Sequence, residues 1–413
     1  MKAISFLGKG EYDPVRYYYG EKECETHLFP YAVTQFFRPA ELLVFLTPEA
    51  KNFVPKKRDP NNTKTHFETL CEEHEKSGLI IPRAVDIPNG GSEAELWQIF
   101  QAMTDVLEDN DEVVFDITYA FRSLPLLAFI AAAYLRVAKQ IKLRTIVYGA
   151  FDAKQDGRAP VFDLSPFLGL LDWIAATDKF VKTGDARELA DLLKAAHSVP
   201  WRSAPFSDRN HLPRHLQGLG ATLEKLSQAL ALTRPPEIAN QASELDKRLD
   251  AAAGETVRWA QPFTVLLERT RSAYQPFAED TLAKQRNLVH WYNDRGQAIQ
   301  AITLAREWIV SWTCIRLGKD KLTEREIVEI AINQAALQKR GQTVEDESPL
   351  LPSLRALPEV DRLVRVWGEI SDLRNDVAHC GMRLRPRPAS TIVQSTKELA
   401  YQLDLFSLPE EES

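Results

Sequence analysis

Cysteine is scarce in this chain. The four present, Cys24, Cys71, Cys314 and Cys380, are scattered over 413 residues. That spacing excludes a disulfide scaffold and fits reduced thiols in a cytoplasmic protein. Cys71 with His66 and His74 comes nearest to a metal-ligand set. No second cluster completes it, so no metal is expected. Long hydrophobic runs are missing too: nothing approaches the roughly 20 apolar residues that span a bilayer, so no membrane partner is expected. The opening Met1–Leu7 segment reaches Gly8-Lys9-Gly10 too soon for a signal peptide. Excess positive charge is absent, since the net charge is −7 and the pI about 5.8. A general nucleic-acid coat held by counterion release is thereby excluded, although a local basic pocket is not. No internal repeat and no long low-complexity tract is found.

What is present reads as an α/β Rossmann-like N-terminal domain followed by an all-α C-terminal region. The length suggests two or three domains, each long enough to bury a core. Apolar strands are expected at 3–7, 41–47, 79–87, 112–118 and 142–148, with an edge strand at 159–163. Helices lie between them. One runs from Ser92 through Leu107, with Ser92 as N-cap and Glu95 three residues on. Another, from Pro125 to Lys139, is nearly all Ala, Leu, Ile and Phe and should be buried against the sheet. Alternation of this kind predicts a mostly parallel sheet. After Asp163 the strands stop. Phe167 to Phe180 is helical, Thr183-Gly184-Asp185 ends one helix and caps the next, and Val199 to Pro213 reads as a loop or short insertion. His211 and His215 within and beside it are expected as surface histidines, because Pro213 interrupts their helical spacing. Arg234-Pro235-Pro236 breaks the following helix. From Val257 onward the chain is helical, with a polar, mobile loop expected from Gln338 to Pro352. The domains expected are 1–165, a helical connecting region 166–260, and 261–413.

Rossmann-like sheets bind ligands beyond the carboxyl ends of their strands, where the crossover direction switches. Gly8-Lys9-Gly10 follows the first strand, Thr47-Pro48 the second, and Thr118-Tyr119-Ala120-Phe121-Arg122-Ser123 the fourth. Asn89-Gly90-Gly91-Ser92 adds a donor-rich loop before a helix N-terminus. Gly8 and Gly10 let backbone N–H groups approach a phosphate. Lys9 and Arg122 offer cationic donors, Thr118 and Ser123 hydroxyls, Tyr119 a ring, and Thr47 and Asn89 further polar groups. A plain turn with a structural strand end is the competing reading. The dinucleotide fingerprint G-x-G-x-x-G fails, with Asp13 where its third glycine belongs. A different nucleotide ligand is expected.

Near the other end lies Leu373-Arg374-Asn375-Asp376-Val377-Ala378-His379. On a helix of 3.6 residues per turn, Asn375 and His379 share a face, and Arg374 sits beside it. A cation, a carboxamide and an imidazole can hold a phosphodiester and move protons near neutral pH. This points to metal-independent RNA cleavage. Arg286-Asn287-Leu288-Val289-His290 has Arg-x3-His spacing, one residue short, and reads as a decoy or helper. Arg306 and Glu307 read more as a solvated helix face than as a supporting ion pair.

Asp116-Ile117-Thr118-Tyr119-Ala120-Phe121-Arg122-Ser123-Leu124-Pro125 resembles the D-x-T-H-G-F-R-x-x-P motif of CRISPR-associated CARF proteins. Gly8-Lys9-Gly10, Tyr148-Gly149-Ala150-Phe151, and Asp163-Leu164-Ser165-Pro166-Phe167 followed by Lys182-Thr183-Gly184-Asp185 look like further segments of that family. Arg374-Asn375-x3-His379 matches the R-x4-H motif of HEPN ribonuclease domains. Trp291-Tyr292 through Gln300-Ala301 to Arg306-Glu307-Trp308 is similar to the helix that opens such domains. The resemblance implies a homodimeric or higher symmetric CARF–HEPN ribonuclease of type III CRISPR immunity. Its allosteric activator is a cyclic oligoadenylate, expected to be cyclic tetra-adenylate with the hexa-adenylate as runner-up. Its substrate is single-stranded RNA, and no cofactor is implied. Tyr119-Ala120 replaces the usual His-Gly pair. Tyr119 can stack or donate but does not titrate near neutral pH, which leaves open the ring size recognised and any degradation of the activator. A non-catalytic CARF sensor and a transcription regulator remain as alternatives. The acidity of the chain and the lack of a basic recognition helix weigh against the regulator.

Overall fold

A computed structural model describes residues 1–120, 123–382 and 384–409. Among them the chain divides into two compact units, Met1–Asp172 and Trp173–Ser413.

The N-terminal unit runs β1 (Lys2–Leu7), β2 (Val15–Tyr19), β3 (Lys22–Thr26), α1 (Phe29–Phe37), β4 (Glu41–Leu46), α2 (Pro48–Asn52), α3 (His66–Lys76), β5 (Arg83–Asp86), α4 (Glu93–Asp105), β6 (Glu112–Asp116), α5 (Leu124–Ala138), β7 (Lys142–Gly149) and β8 (Arg158–Asp163). The strands form one sheet of eight in the order β3-β2-β8-β7-β6-β1-β4-β5. β1 pairs in parallel with β4 on one side and β6 on the other, so the strand order reverses at β1. The Rossmann-like architecture is as expected. The apolar runs follow from burial on both faces. Ile4 and Phe6 of β1 pack with α4 and α5 residues such as Ile99 and Ala128, while Ala3 and Leu7 pack with Phe29 and Val33 of α1.

The hairpin β2–β3 was not expected, and it moves β8 from the predicted edge to the interior. β8 pairs antiparallel with β7 and parallel with β2. Helix α3 was also unforeseen, although its start is written locally. Thr65 accepts from the Glu68 N–H while Glu68 reaches back to the Thr65 N–H, a capping box worth about 1 kcal/mol. Its His66 and His74 are spent on structure. His66 Nε2 bonds the Gly10 carbonyl at 2.8 Å, and His74 bonds the Leu70 carbonyl and the Thr34 hydroxyl. Ser92 caps α4 as expected, accepting from the Glu95 N–H. Helix α5 is only half-buried, contrary to expectation. Ala128, Ala131, Ala132 and Leu135 face the sheet, but Leu126, Ile130, Tyr134 and Val137 are 51–84% exposed.

Helix α6 (Ser165–Thr183) joins the two units. The second unit contains α7 (Arg187–Ser203), α8 (Leu216–Ala231), α9 (Pro235–Trp259), α10 (Gln261–Tyr274), α11 (Leu282–Asp294), α12 (Ala298–Arg316), α13 (Arg325–Lys339), α14 (Leu351–Arg355), α15 (Val360–Ala378) and α16 (Ala389–Leu403). The expected loop at 199–213 is shorter, because α7 continues through Pro200 to Ser203. Pro235 and Pro236 occupy the first turn of α9, where a missing N–H costs nothing. Trp308 and Trp312 of α12 are fully buried, and their indole N–H groups donate to the carbonyls of Leu282 and Ser407. The 338–352 segment is tethered rather than loose: Gln334 donates to the Asp346 carbonyl and accepts from the Ser348 N–H. Arg306 and Glu307 are no ordinary solvated face. Arg306 bonds Glu307 and Glu329, and Arg325 also bonds Glu307, so the cluster ties α12 to α13.

Candidate functional site

A cavity of about 630 Å³ opens at the carboxyl ends of β1, β4, β5 and β6, where the strand order reverses. It gathers Gly8, Lys9, Gly10, Thr47, Asn89, Thr118, Tyr119 and Ser123, eight of the nine residues proposed from sequence for the ligand. The ninth, Arg122, lies outside the described residues. The first turn of α5 reaches the cavity through Ser123 and Leu124, and the loop before α4 through Gly90 and Gly91. Both helices direct their positive ends there, which suits anionic groups.

Several groups already have partners. The Thr47 hydroxyl accepts from the Ala50 N–H and caps α2. Lys9 and Glu49 form an exposed ion pair at the rim. The Thr118 hydroxyl accepts from the Gly149 N–H at 2.8 Å, and the Thr118 N–H donates to Asp116 Oδ1 at 2.8 Å. Gly149 admits no side chain, since a Cβ there would lie 2.6 Å from the Phe29 ring and 2.9 Å from Tyr17. Asp116 is fully buried, and desolvation pushes its carboxyl up to about 6. Its Oδ2 and the neighbouring Ser5 hydroxyl make no hydrogen bond among the described residues.

Tyr12 was not foreseen in this site. Its ring stacks on Tyr119, its hydroxyl accepts from the Gly8 N–H at 3.0 Å, and burial pushes that hydroxyl up to about 12. A Cβ at Gly10 would come within 2.7 Å of the Tyr12 ring, and one at Gly8 within 3.1 Å of its oxygen. The two glycines therefore make room for Tyr12. Their expected approach to a phosphate is available only where Tyr12 yields. Tyr119 is committed as well: its hydroxyl donates to the His27 carbonyl at 2.8 Å, and burial holds it well above the ordinary tyrosine range. A phenol so placed serves as a wall, in contact with the cavity but without a proton to exchange. Tyr12 and Glu49 are the polar lining positions that sequence reasoning missed.

In the second unit, Arg374 and Asn375 lie in the last turn of α15, and His379 is its C-cap, with its N–H donating to the Asn375 carbonyl at 3.1 Å. All three are exposed. Their side chains make no hydrogen bond or ion pair among the described residues. All three thus lie within the end and cap of one helix. Arg286 and His290 are engaged elsewhere. Both bond Asp404, and Arg286 also donates to the Leu403 and Phe406 carbonyls. They clamp the end of α16 to α11, which fits a helper and not a second catalytic pair. Among the described residues, no group of three or more His, Cys, Asp and Glu is arranged to hold a metal, and no helix is long and apolar enough to cross a membrane.

Comparison with known proteins bears on both units. Residues 2–152 match the family model of the CARF domain of the CRISPR system endoribonuclease Csx1. Residues 169–276 match the second domain of the CRISPR-associated protein MJ1674. Over 112 residues the chain is 34% identical to CRISPR-associated protein MJ1674 of Methanocaldococcus jannaschii; the match covers 26% of this chain and 18% of that relative. Residues 2–152 thus carry a Csx1-type CARF domain over the sheet, and a segment similar to the second domain of MJ1674 follows it.

Proposed function

We propose that this chain is a cyclic-oligoadenylate-activated, metal-independent endoribonuclease that cuts single-stranded RNA in type III CRISPR antiviral defence. The observation that carries the reading is the convergence of eight expected ligand residues on one cavity at the sheet's switch point, in a domain whose relatives include an endoribonuclease by name. Backbone N–H groups, the hydroxyls of Thr47 and Ser123, and Lys9 once released from Glu49 hold the phosphates of the activator. Arg122, by its place in the motif, is a further phosphate ligand.

Residues 166–260 connect, and 261–413 is the HEPN-type ribonuclease domain. His379 takes the proton from the ribose 2′-OH or gives one to the leaving oxygen. Arg374 holds the scissile phosphate and stabilises the charge that develops on it. Asn375 orients the substrate. One exposed Arg-Asn-His set per chain makes a symmetric pair of chains the working unit, in the cytoplasm. The exposed apolar face of α5 supports this, because Leu126, Ile130, Tyr134 and Val137 form the kind of patch that marks a protein contact. A two-fold axis lets the same face pair with itself. Paired cavities also suit a ring of even symmetry such as cyclic tetra-adenylate.

Cleavage of a labelled single-stranded RNA, with and without cyclic tetra-adenylate, tests the reading. Activator-dependent cleavage in the presence of a chelator is expected. Binding without cleavage would leave a non-catalytic sensor in its place.

A further inference from the structure

We infer that the segment Cys380–Pro388 is a guide for the RNA strand, held beside Arg374 and His379 by the buried carboxylate of Asp376. This rests on the ribonuclease reading of that site. The sequence, Cys-Gly-Met-Arg-Leu-Arg-Pro-Arg-Pro, alternates three arginines with apolar residues and contains no acid, in a chain whose net charge is −7. Met382 and Leu384 are 86% and 95% exposed. Two large apolar side chains held in water beside cations need a reason. Single-stranded nucleic acid supplies one, since cations track its phosphates while apolar groups lie against unpaired bases.

The described residues on either side of position 383 are tied back to α15. The Met382 N–H donates to the His379 carbonyl at 2.7 Å, and the Gly381 N–H to the Asp376 carbonyl. Farther along, the Arg387 N–H donates to Asp376 Oδ2 at 3.1 Å, and the Arg387 guanidinium lies 3.9 Å from Asp372. Asp376 is 2% exposed although it stands between exposed Asn375 and His379 in the motif. It is a positioning residue: its side chain fixes where the basic segment returns. Arg383 lies outside the described residues and enters by sequence alone. Arg385 and Arg387 are exposed; Arg387 would exchange its 3.9 Å pair with Asp372 for a phosphate once RNA arrives.

The test uses the full-length protein with His379→Ala as an RNA trap, so that binding is read without cleavage. Fluorescence anisotropy with a short single-stranded RNA is followed across salt concentrations. Arg385→Ala/Arg387→Ala in that background should weaken binding on the order of tenfold and reduce the slope of log affinity against log salt by about 1.4, the value for two lost phosphate contacts on a single strand. With His379 restored, the double variant should raise KM for RNA with little change in kcat. Asp376→Asn, which keeps an acceptor oxygen, should show a milder rise in KM than Asp376→Ala. An unchanged salt slope in the double variant would overturn the guide while leaving the ribonuclease reading intact. Normal salt-dependent binding by a wild-type protein that never cleaves would do the reverse. If Met382→Ala/Leu384→Ala alters the oligomeric state by light scattering and leaves RNA binding alone, the segment is a contact between copies and the inference fails.

Discussion

Tyr12 lies flat on Tyr119, with ring centroids 3.8 Å apart and planes within 16°. The stack carries the Tyr12 hydroxyl to the Gly8 N–H, a donor that the proposed ligand would also use.

Removing that hydroxyl should therefore help the ligand. Tyr12→Phe keeps the ring but frees the Gly8 N–H, so cyclic tetra-adenylate should bind roughly two- to tenfold more tightly, the worth of one ordinary hydrogen bond. Calorimetry showing unchanged or weaker binding would mean that Gly8 does not donate to the ligand.

Lys9 and Glu49 make a second competition. An exposed ion pair contributes about 0–1 kcal/mol to stability, so breaking it leaves the fold intact. Glu49→Gln should tighten activator binding and Lys9→Ala should weaken it. Both effects should shrink at high salt. Equal affinities in the two variants would remove Lys9 from the site.

For Asp116, burial raises the folded-state value to about 6 from an ordinary 3.8. Its contribution to stability is fully present below 3.8 and is lost as pH rises through about 6. Asp116→Asn still accepts from the Thr118 N–H and cannot ionise. The variant's thermal midpoint should gain on the wild type as pH rises from 4 to 7, and the gap should stay level above that. A gap independent of pH would show that Asp116 does not titrate in the folded protein.

His379→Ala and Arg374→Ala should each lower RNA cleavage on the order of 100-fold or more with the fold and activator binding unchanged. His290→Ala should leave cleavage intact and lower the thermal midpoint, because His290 holds Asp404. Loss of cleavage in His290→Ala at full stability would reverse these roles.

A dimer with one His379→Ala chain should lose most of its activity if the cleft is shared between chains. Half the wild-type rate in single-turnover assays would mean that each chain cuts alone.

Much of the candidate cavity was legible because parallel strands deliver whatever follows them to one edge. Gly8, Thr47, Asn89 and Thr118 needed only a strand end to be placed together. Tyr12 was not legible, because its ring returns to the cavity through the path of the 8–14 loop, which no period encodes. The hairpin β2–β3 carried a readable signal in Val15–Tyr19 followed by Gly20, and α3 carried one in Thr65 and Glu68. The exposed half of α5 was hidden for the opposite reason: a helix apolar all round has no contrast to show which side faces water. The Arg374–His379 set needed only helical spacing, and the roles of Arg286 and His290 depended on Asp404, more than a hundred residues away.

Gly149 has a consequence for which residues position 149 can accept. With its N–H held by Thr118 and its α-carbon wedged against Phe29 and Tyr17, the β7 end is an anvil. Any residue larger than glycine at 149 would have to displace both rings, so the end of β7 is fixed by size as much as by hydrogen bonding.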